Sequence, residues 1–255
     1  MIDALYIATA GMKSQQTQID TLANNISNLQ TPGFKSRRVA FGDVAVISPE
    51  QVQAGMSPEH IGAGSEILST SSVFLQGTMQ QTNKVWDLGI QGEGFLEVVD
   101  GNGNHLYTRD GQLHVDNQGY LVTAAGNRLA QDIQVPPDAT NIKVDQSGQV
   151  YATVGASADQ TLLGAIELST FPSTEGLQSV GGNNFVPTQA SGDPSVGKPN
   201  ENGVGSLMQG VLEGSNVDMV SEMSTLVIAQ RAYQLNARVL QASDQILDTI
   251  NNLRQ

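Results

Sequence analysis

The chain has 255 residues, no cysteine, and a formal net charge of −13 from 12 Lys and Arg against 25 Asp and Glu. That length allows one large or two medium cores, and the missing cysteine excludes disulfides and thiolate metal sites. Only 39% of residues are hydrophobic and 5% aromatic, which favours a β-rich or elongated molecule over a dense enzyme core. The charge is unevenly placed. Lys13, Lys35, Arg37 and Arg38 outnumber Asp3 and Asp20 by two in residues 1–40. Glu213, Asp218, Glu222, Asp244 and Asp248 outnumber Arg231, Arg238 and Arg254 by two at the other end, so the whole −13 lies in residues 41–212. Near-neutral ends can pack closely, whereas the acidic middle is expected to be solvated. Nucleic acid is not expected as a partner, because phosphate binding needs clustered Lys and Arg. No run of about 18 apolar residues exists, so membrane insertion through a helix is not expected.

The first predicted element is a helix over residues 3–28. Leu5, Met12, Ile19 and Ile26 recur every seven residues, and Leu22 and Leu29 widen the stripe. A seven-residue apolar repeat demands a second helix to cover its seam. Ala8-Thr9-Ala10 imitates a signal cleavage site, yet Asp3 replaces the expected base and the apolar stretch before it is too short. Any export is therefore expected to proceed without an ordinary cleaved signal. Thr31-Pro32-Gly33 stops the helix by removing a donor and then allowing positive φ.

Residues 35–80 read as an extended connector with short strands. From Val85 to Phe171 the pattern becomes strand and turn, with a small internal repeat. Val115-Asp116-Asn117-Gln118-Gly119 and Val144-Asp145-Gln146-Ser147-Gly148 each precede a strand, with a looser copy from Val99-Asp100 to Gly103. Asp at the first turn position bonds the backbone two residues on, and Gly closes the hairpin with positive φ. Residues 172–212 are rich in Gly, Pro, Asn and Ser and read as a second connector. A final helix is expected to open with Ser215 and Asn216 as caps and to carry Met219, Leu226, Tyr233, Leu240 and Leu247 at heptad spacing, with Met223 beside them. Continued to Leu253 it would span about 57 Å at 1.5 Å per residue.

The expected fold class is thus α+β. Long N- and C-terminal helices pair as an α-helical coiled-coil domain (1–34 plus 213–255), a central antiparallel domain is β-rich (85–171), and extended connectors join them (35–84 plus 172–212). Termini that carry adhesive seams point to an assembly subunit, although two helices packed within one monomer would satisfy the same pattern.

Candidate chemistry is sparse. His60, His105 and His114 lack metal-ligand spacing, although the last two could approach across a hairpin. Gly92-Glu93-Gly94 resembles part of a phosphate loop but leads into a strand, which removes the helix N-terminus that phosphate needs. Asp100-Gly101-Asn102-Gly103-Asn104 imitates a calcium loop without its distal Glu. No Asp and Glu pair stands out as acid and base, and no nucleophile elbow occurs. Neither a metal, a cofactor nor a catalytic residue is expected.

The helix punctuation also carries a likeness. Leu22-Ala23-Asn24-Asn25-Ile26-Ser27-Asn28 with Thr31-Pro32-Gly33-Phe34-Lys35, and Glu213-Gly214-Ser215-Asn216-Val217-Asp218 with Gln230-Arg231-Ala232-Tyr233, resemble the terminal signatures of bacterial flagellar rod, hook and hook-associated proteins. Leu88 to Phe95 and Tyr107-Thr108-Arg109-Asp110-Gly111 resemble the β-domain of rod members. The likeness covers the full length, and the beginning, residues 171–184 and the ending favour the distal part of the rod over the proximal part. A connector between Phe41 and Ile61 that is short for a distal subunit departs from that pattern.

The resemblance implies a non-enzymatic structural subunit, exported by the flagellar type III apparatus, that self-assembles into a helical tube across the periplasm and transmits motor torque to the hook. Implied partners are other copies, other rod proteins, the hook protein and the surrounding ring proteins. Alternatives are a proximal rod or hook subunit, a secreted β-rich binding module with an intramolecular stalk, and a carbohydrate hydrolase using two central carboxylates. In the rod reading Leu5, Met12, Ile19, Leu22, Ile26, Met219, Met223, Leu226, Tyr233, Leu240 and Leu247 form the assembly interface. Asn24, Asn25 and Asn28 would set register, Phe34 would anchor the chain after Pro32 and Gly33, and Ser215, Asn216, Val217, Gln230, Arg231, Ala232 and Tyr233 complete the motif.

Overall fold

The computed structural model describes residues 2–46, 61–154 and 160–253. The chain divides into two compact units: one built from its two ends and residues 37–71, the other from residues 28–36 and 72–217.

The first unit holds helices α1 (Ile2–Ser27) and α2 (Met219–Leu253) and a two-stranded sheet of β1 (Arg37–Val46) and β2 (Ile61–Ser72). At 35 residues, α2 extends about 52 Å at 1.5 Å per residue. The two helices lie in contact, and Gly11 permits a close approach to α2. A Cβ on Gly11 would come within 2.8 Å of Asn236 Nδ2 on α2. Ala8 and Ser14 of α1 and Ala229 of α2 are buried, together with Leu22 and Asn25. Ser14 Oγ donates to the Ser65 carbonyl of β2 at 3.1 Å, tying α1 to the sheet. β1 and β2, of 10 and 12 residues, replace the short strands expected before residue 80. Gly42 in β1 leaves space that Leu68 of β2 occupies.

The start of α2 also differs from expectation. Asp218, not Ser215 or Asn216, stands at the cap: its Oδ1 accepts from Val220 N–H at 3.1 Å and its carbonyl from Glu222 N–H at 2.9 Å. Both expected caps are used elsewhere. Ser215 Oγ accepts from Val217 N–H, and the Asn216 amide is committed to three backbone groups described below.

The second unit is antiparallel. Its main sheet runs β14 (Gln178–Gly181), β15 (Asn184–Val186), β6 (His105–Thr108), β5 (Phe95–Val99), β9 (Arg128–Leu129), β8 (Leu121–Thr123) and β7 (Leu113–Val115). β13 (Leu168–Thr170) also pairs β5, and β16 (Ser195–Gly197) pairs β13. A three-stranded sheet of β10 (Ala139–Val144), β11 (Gln149–Val154) and β12 (Gln160–Ala165) is separate. Two short pairs complete the unit: β17 (Ser206–Gln209) with β4 (Leu88–Gln91), and β18 (Val211–Glu213) with β3 (Met79–Gln81).

β5 is buried on both faces, which explains why its sequence barely alternates. Leu96 and Val98 join an aliphatic core with Leu88, Ile90, Leu168 and Leu207, while Phe95 joins Tyr107, Leu177 and Phe185 in an aromatic one. Phe74 and Phe171 meet the aromatic group edge-on, Phe171 lying 4.9 Å from the Tyr107 ring. The expected connector 172–212 is part of this unit. β14, β15 and β16 extend the main sheet, and β17 and β18 pair with earlier strands.

The internal repeat builds its hairpins as the residue chemistry requires. Asp100, Asp116 and Asp145 each accept at the backbone carbonyl from the glycine three residues on, at 3.1, 3.0 and 2.9 Å. Asp116 Oδ1 also accepts from Gln118 and Tyr120 N–H, and Asp100 Oδ1 from Asn102 and Asn104 N–H. These bonds hold both carboxyl groups below the usual aspartate range; the Asn104 side chain leads at Asp100 and the Tyr120 amide at Asp116.

Candidate functional site

Within the second unit the structure gathers three of the quoted motifs around one buried carboxylate. Glu213, the last residue of β18, has a side chain with no exposure. Its Oε1 lies 2.5 Å from Lys35 Nζ and accepts from Gly77 N–H at 2.8 Å. Its Oε2 accepts from Arg109 Nη1 at 3.3 Å. Lys35 is equally enclosed and gives a second hydrogen to the Leu75 carbonyl at 2.8 Å. Arg109 Nη2 donates to the Gly92 carbonyl at 2.9 Å, and its guanidinium stands 5.2 Å from the centre of the Phe95 ring. Burial pushes the Lys35 ammonium below the ordinary lysine value; Glu213 opposes that shift and Arg109 adds to it. Two cations share one anion, and only the surrounding carbonyls and ring make that tolerable.

Backbone contacts complete the node. Gly33 N–H donates to the Glu213 carbonyl at 2.8 Å. Gly33 has φ +68°, and a Cβ there would lie 2.7 Å from the Arg109 carbonyl, so glycine is required twice over. Asn216 Oδ1 accepts from Ser36 N–H at 2.7 Å, while its Nδ2 donates to the carbonyls of Val73 and Leu75 at 2.7 and 3.1 Å. Asn183 Nδ2 donates to the Pro32 carbonyl at 2.9 Å. Each hydrogen bond named here holds one part of the chain to another. The unpaired Arg109 Nε is itself enclosed.

The remaining motif residues lie as follows. Asn25 is buried; its Nδ2 donates to the Arg37 carbonyl at 2.9 Å and to Glu222 Oε2 of α2 at 3.2 Å, and its Oδ1 accepts from Arg37 N–H at 2.9 Å. Asn24 is exposed. Asn28 Oδ1 accepts from Thr31 Oγ1 at 3.2 Å, fastening the turn after α1. Phe34 is half-buried, and Val217 is buried. Gln230 and Arg231 are exposed and Ala232 is half-buried.

Most of the heptad residues whose side chains are described are not fully enclosed within the chain. Leu5, Met12, Ile19, Ile26, Leu226 and Leu240 are half-buried, and Leu22 is buried. Met219, Met223 and Tyr233 are exposed. The Leu247 side chain lies outside the described residues. Apolar neighbours on α2 are more exposed still, Val220 at 75%, Ile228 at 67% and Leu235 at 60%.

The candidate chemistry resolves into turns and edges. His60 lies outside the described residues. His105 Nδ1 is 2.7 Å from Glu97 Oε1, and His114 pairs with Val122; β6 and β7 are not neighbours, so the two histidines do not meet across a hairpin. Gly92 and Gly94 have φ +103° and +140° and lead into β5. Burial raises the Asp110 carboxyl above the usual range, partly offset by the Gln112 N–H, with the Asp87 charge adding to the rise. Among the described residues no three His, Asp or Glu form a metal-holding group, and no helix is long and apolar enough to cross a membrane.

Comparison with known proteins agrees with this geometry. Residues 5–35 match the family model described as flagella basal body rod protein, and residues 208–253 match flagellar basal body rod FlgEFG protein C-terminal. Residues 89–152 match flagellar hook protein FlgE/F/G D1 domain. The chain is 37% identical to the flagellar basal-body rod protein FlgG of Borreliella burgdorferi, over 100% of both chains. It is 36% identical to that of Agrobacterium fabrum, over 97% of this chain and 98% of the relative, and 34% identical to that of Bacillus subtilis, over 100% of both. The N-terminal match ends at Lys35 and the C-terminal match begins at residue 208, just before Glu213; full-length identity of this order establishes that the chain belongs to the flagellar basal-body rod protein family, among its FlgG-like members.

Proposed function

We propose that the chain is a structural subunit of the distal flagellar rod whose terminal helices pack against those of other copies to form a helical tube. The observation that carries this is the uncovered face of α2. Val220, Met223, Val227, Ile228, Leu235 and Val239 are all exposed, on a helix of 35 residues. A single chain leaves that much apolar surface in water only when something else is to cover it. Coiled-coil packing among copies supplies the cover, since the heptad positions Met219, Met223 and Tyr233 are open on the same helix.

Long helices with many neighbours resist bending and twist, which suits torque transmission to the hook. Other rod proteins and the hook protein are the partners at the ends of such a tube, and ring proteins surround it. Delivery by the flagellar type III apparatus fits a chain that completes its helix seams only on docking. No catalytic step is assigned to any residue.

The test is a pair of substitutions on the open face, Met223→Asp and Ile228→Asp, in the full-length protein. The purified variant is expected to keep the melting curve of the β-rich unit, while cells that rely on it lose motility and yield basal bodies truncated within the rod. Normal rods from the doubly substituted protein would overturn the proposal.

A further inference from the structure

The buried node is lopsided in a way that imposes an order on folding. The segment from Thr31 to Ser36 is bonded to Asn183, Leu75 and Val73, and also to the segment after β17. Gly33 N–H and Lys35 Nζ both reach Glu213, at 2.8 and 2.5 Å, Ser36 N–H reaches Asn216 Oδ1 at 2.7 Å, and Asn216 N–H reaches the Phe34 carbonyl at 3.4 Å. The later segment has its own footing. β18 pairs with β3 from Val211 to Glu213, Gly214 N–H donates to the Thr78 carbonyl at 2.8 Å, and Gly77 N–H donates to Glu213 Oε1 at 2.8 Å.

Charge makes the same distinction. Without Lys35, Glu213 and Arg109 remain as a neutral buried pair. Without Glu213, Lys35 and Arg109 would be two enclosed cations with no anion, which is far costlier than a paired burial. Residues 211–217 can therefore seat on the β-rich unit alone, whereas residues 31–36 cannot seat before them.

We propose that Glu213 is a closing latch: the N-terminal signature segment docks onto the β-rich unit only after the C-terminal segment has delivered this carboxylate. Docking of the start of the chain is thereby conditional on the presence of its end. The latch is a property of the single chain and holds whether or not copies polymerise.

The test uses the full-length protein and residue-resolved amide exchange. Lys35→Met, which removes the third charge and keeps the volume, is expected to leave protection at Leu212 and Gly214 within about threefold. Glu213→Gln is expected to speed exchange at Gly33 and Ser36 by at least about thirtyfold while the main sheet stays protected. Equal loosening of the two segments by their respective substitutions, or unchanged protection at Gly33 and Ser36 in Glu213→Gln, would overturn the latch. Pulse labelling during refolding of the unaltered chain decides independently if Glu213→Gln does not fold. Gly214 should gain protection before Ser36, and simultaneous or reversed protection refutes the order.

Discussion

The two units solve burial in opposite ways. The β-rich unit encloses an aliphatic core, an aromatic core and even a charged trio, while Leu75, Leu162, Val180 and Val196 stay exposed at its surface. The helical unit encloses Ala8, Ser14, Leu22, Asn25 and Ala229 and leaves Val220, Ile228 and Leu235 outside. The first is largely closed by its own side chains, and the second would be closed by neighbours in the proposed rod assembly. The contrast teaches that apolar pattern shows where adhesion lies, but not whether the adhesive face turns inward or out.

The largest test of that contrast is a pair of truncations. Leu168→Ala, in the aliphatic core, should destabilise the β-rich unit by about 2–5 kcal/mol in denaturant titration. Met223→Ala on the open helix face should shift the monomer by less than about 0.5 kcal/mol. Comparable losses would mean that the helical unit is already complete in the single chain.

Gly33→Ala comes next. It forces a side chain into φ +68° and against the Arg109 backbone, at an expected cost of about 1–3 kcal/mol read by thermal melting. A neutral result would show that the turn after Pro32 relaxes freely and that the node is loose.

The smallest effect is confined to alkaline pH. Burial raises the Tyr107 phenol to about 12, with Glu97 adding its charge and a hydrogen bond. Because the folded value lies above the ordinary 10, this contribution to stability is complete below pH 10 and is lost as pH rises toward 12. Melting temperature followed from pH 9 to 12 should fall less in Tyr107→Phe than in the unaltered chain. Parallel curves would remove Tyr107 from the closed aromatic core.

Much of the architecture was legible locally. The helix stop at Thr31-Pro32-Gly33 and the Asp-to-Gly hairpins are decided by residues within five positions of one another, so neighbours in sequence suffice. The strands after Phe171 were not legible. β14, β15 and β16 have three or four residues and little alternation, and they become strands because β6 and β13 offer them edges. Ser215 and Asn216 have the chemistry of helix caps, yet Asn216 is taken by Ser36, Val73 and Leu75 before the helix begins.

By itself, then, the sequence determined that both ends are helices with apolar repeats, that the middle is antiparallel β-structure, and that the acidic load falls between them. Periodicity and turn chemistry are short-range and survive without a fold. Only the tertiary structure decided that Lys35, Arg109 and Glu213 share one buried site and that α1 and α2 meet with Gly11 against Asn236. Residues 178 positions apart have no local signal for each other, and a carboxylate acquires its role as an anchor only where folding has removed the water around it.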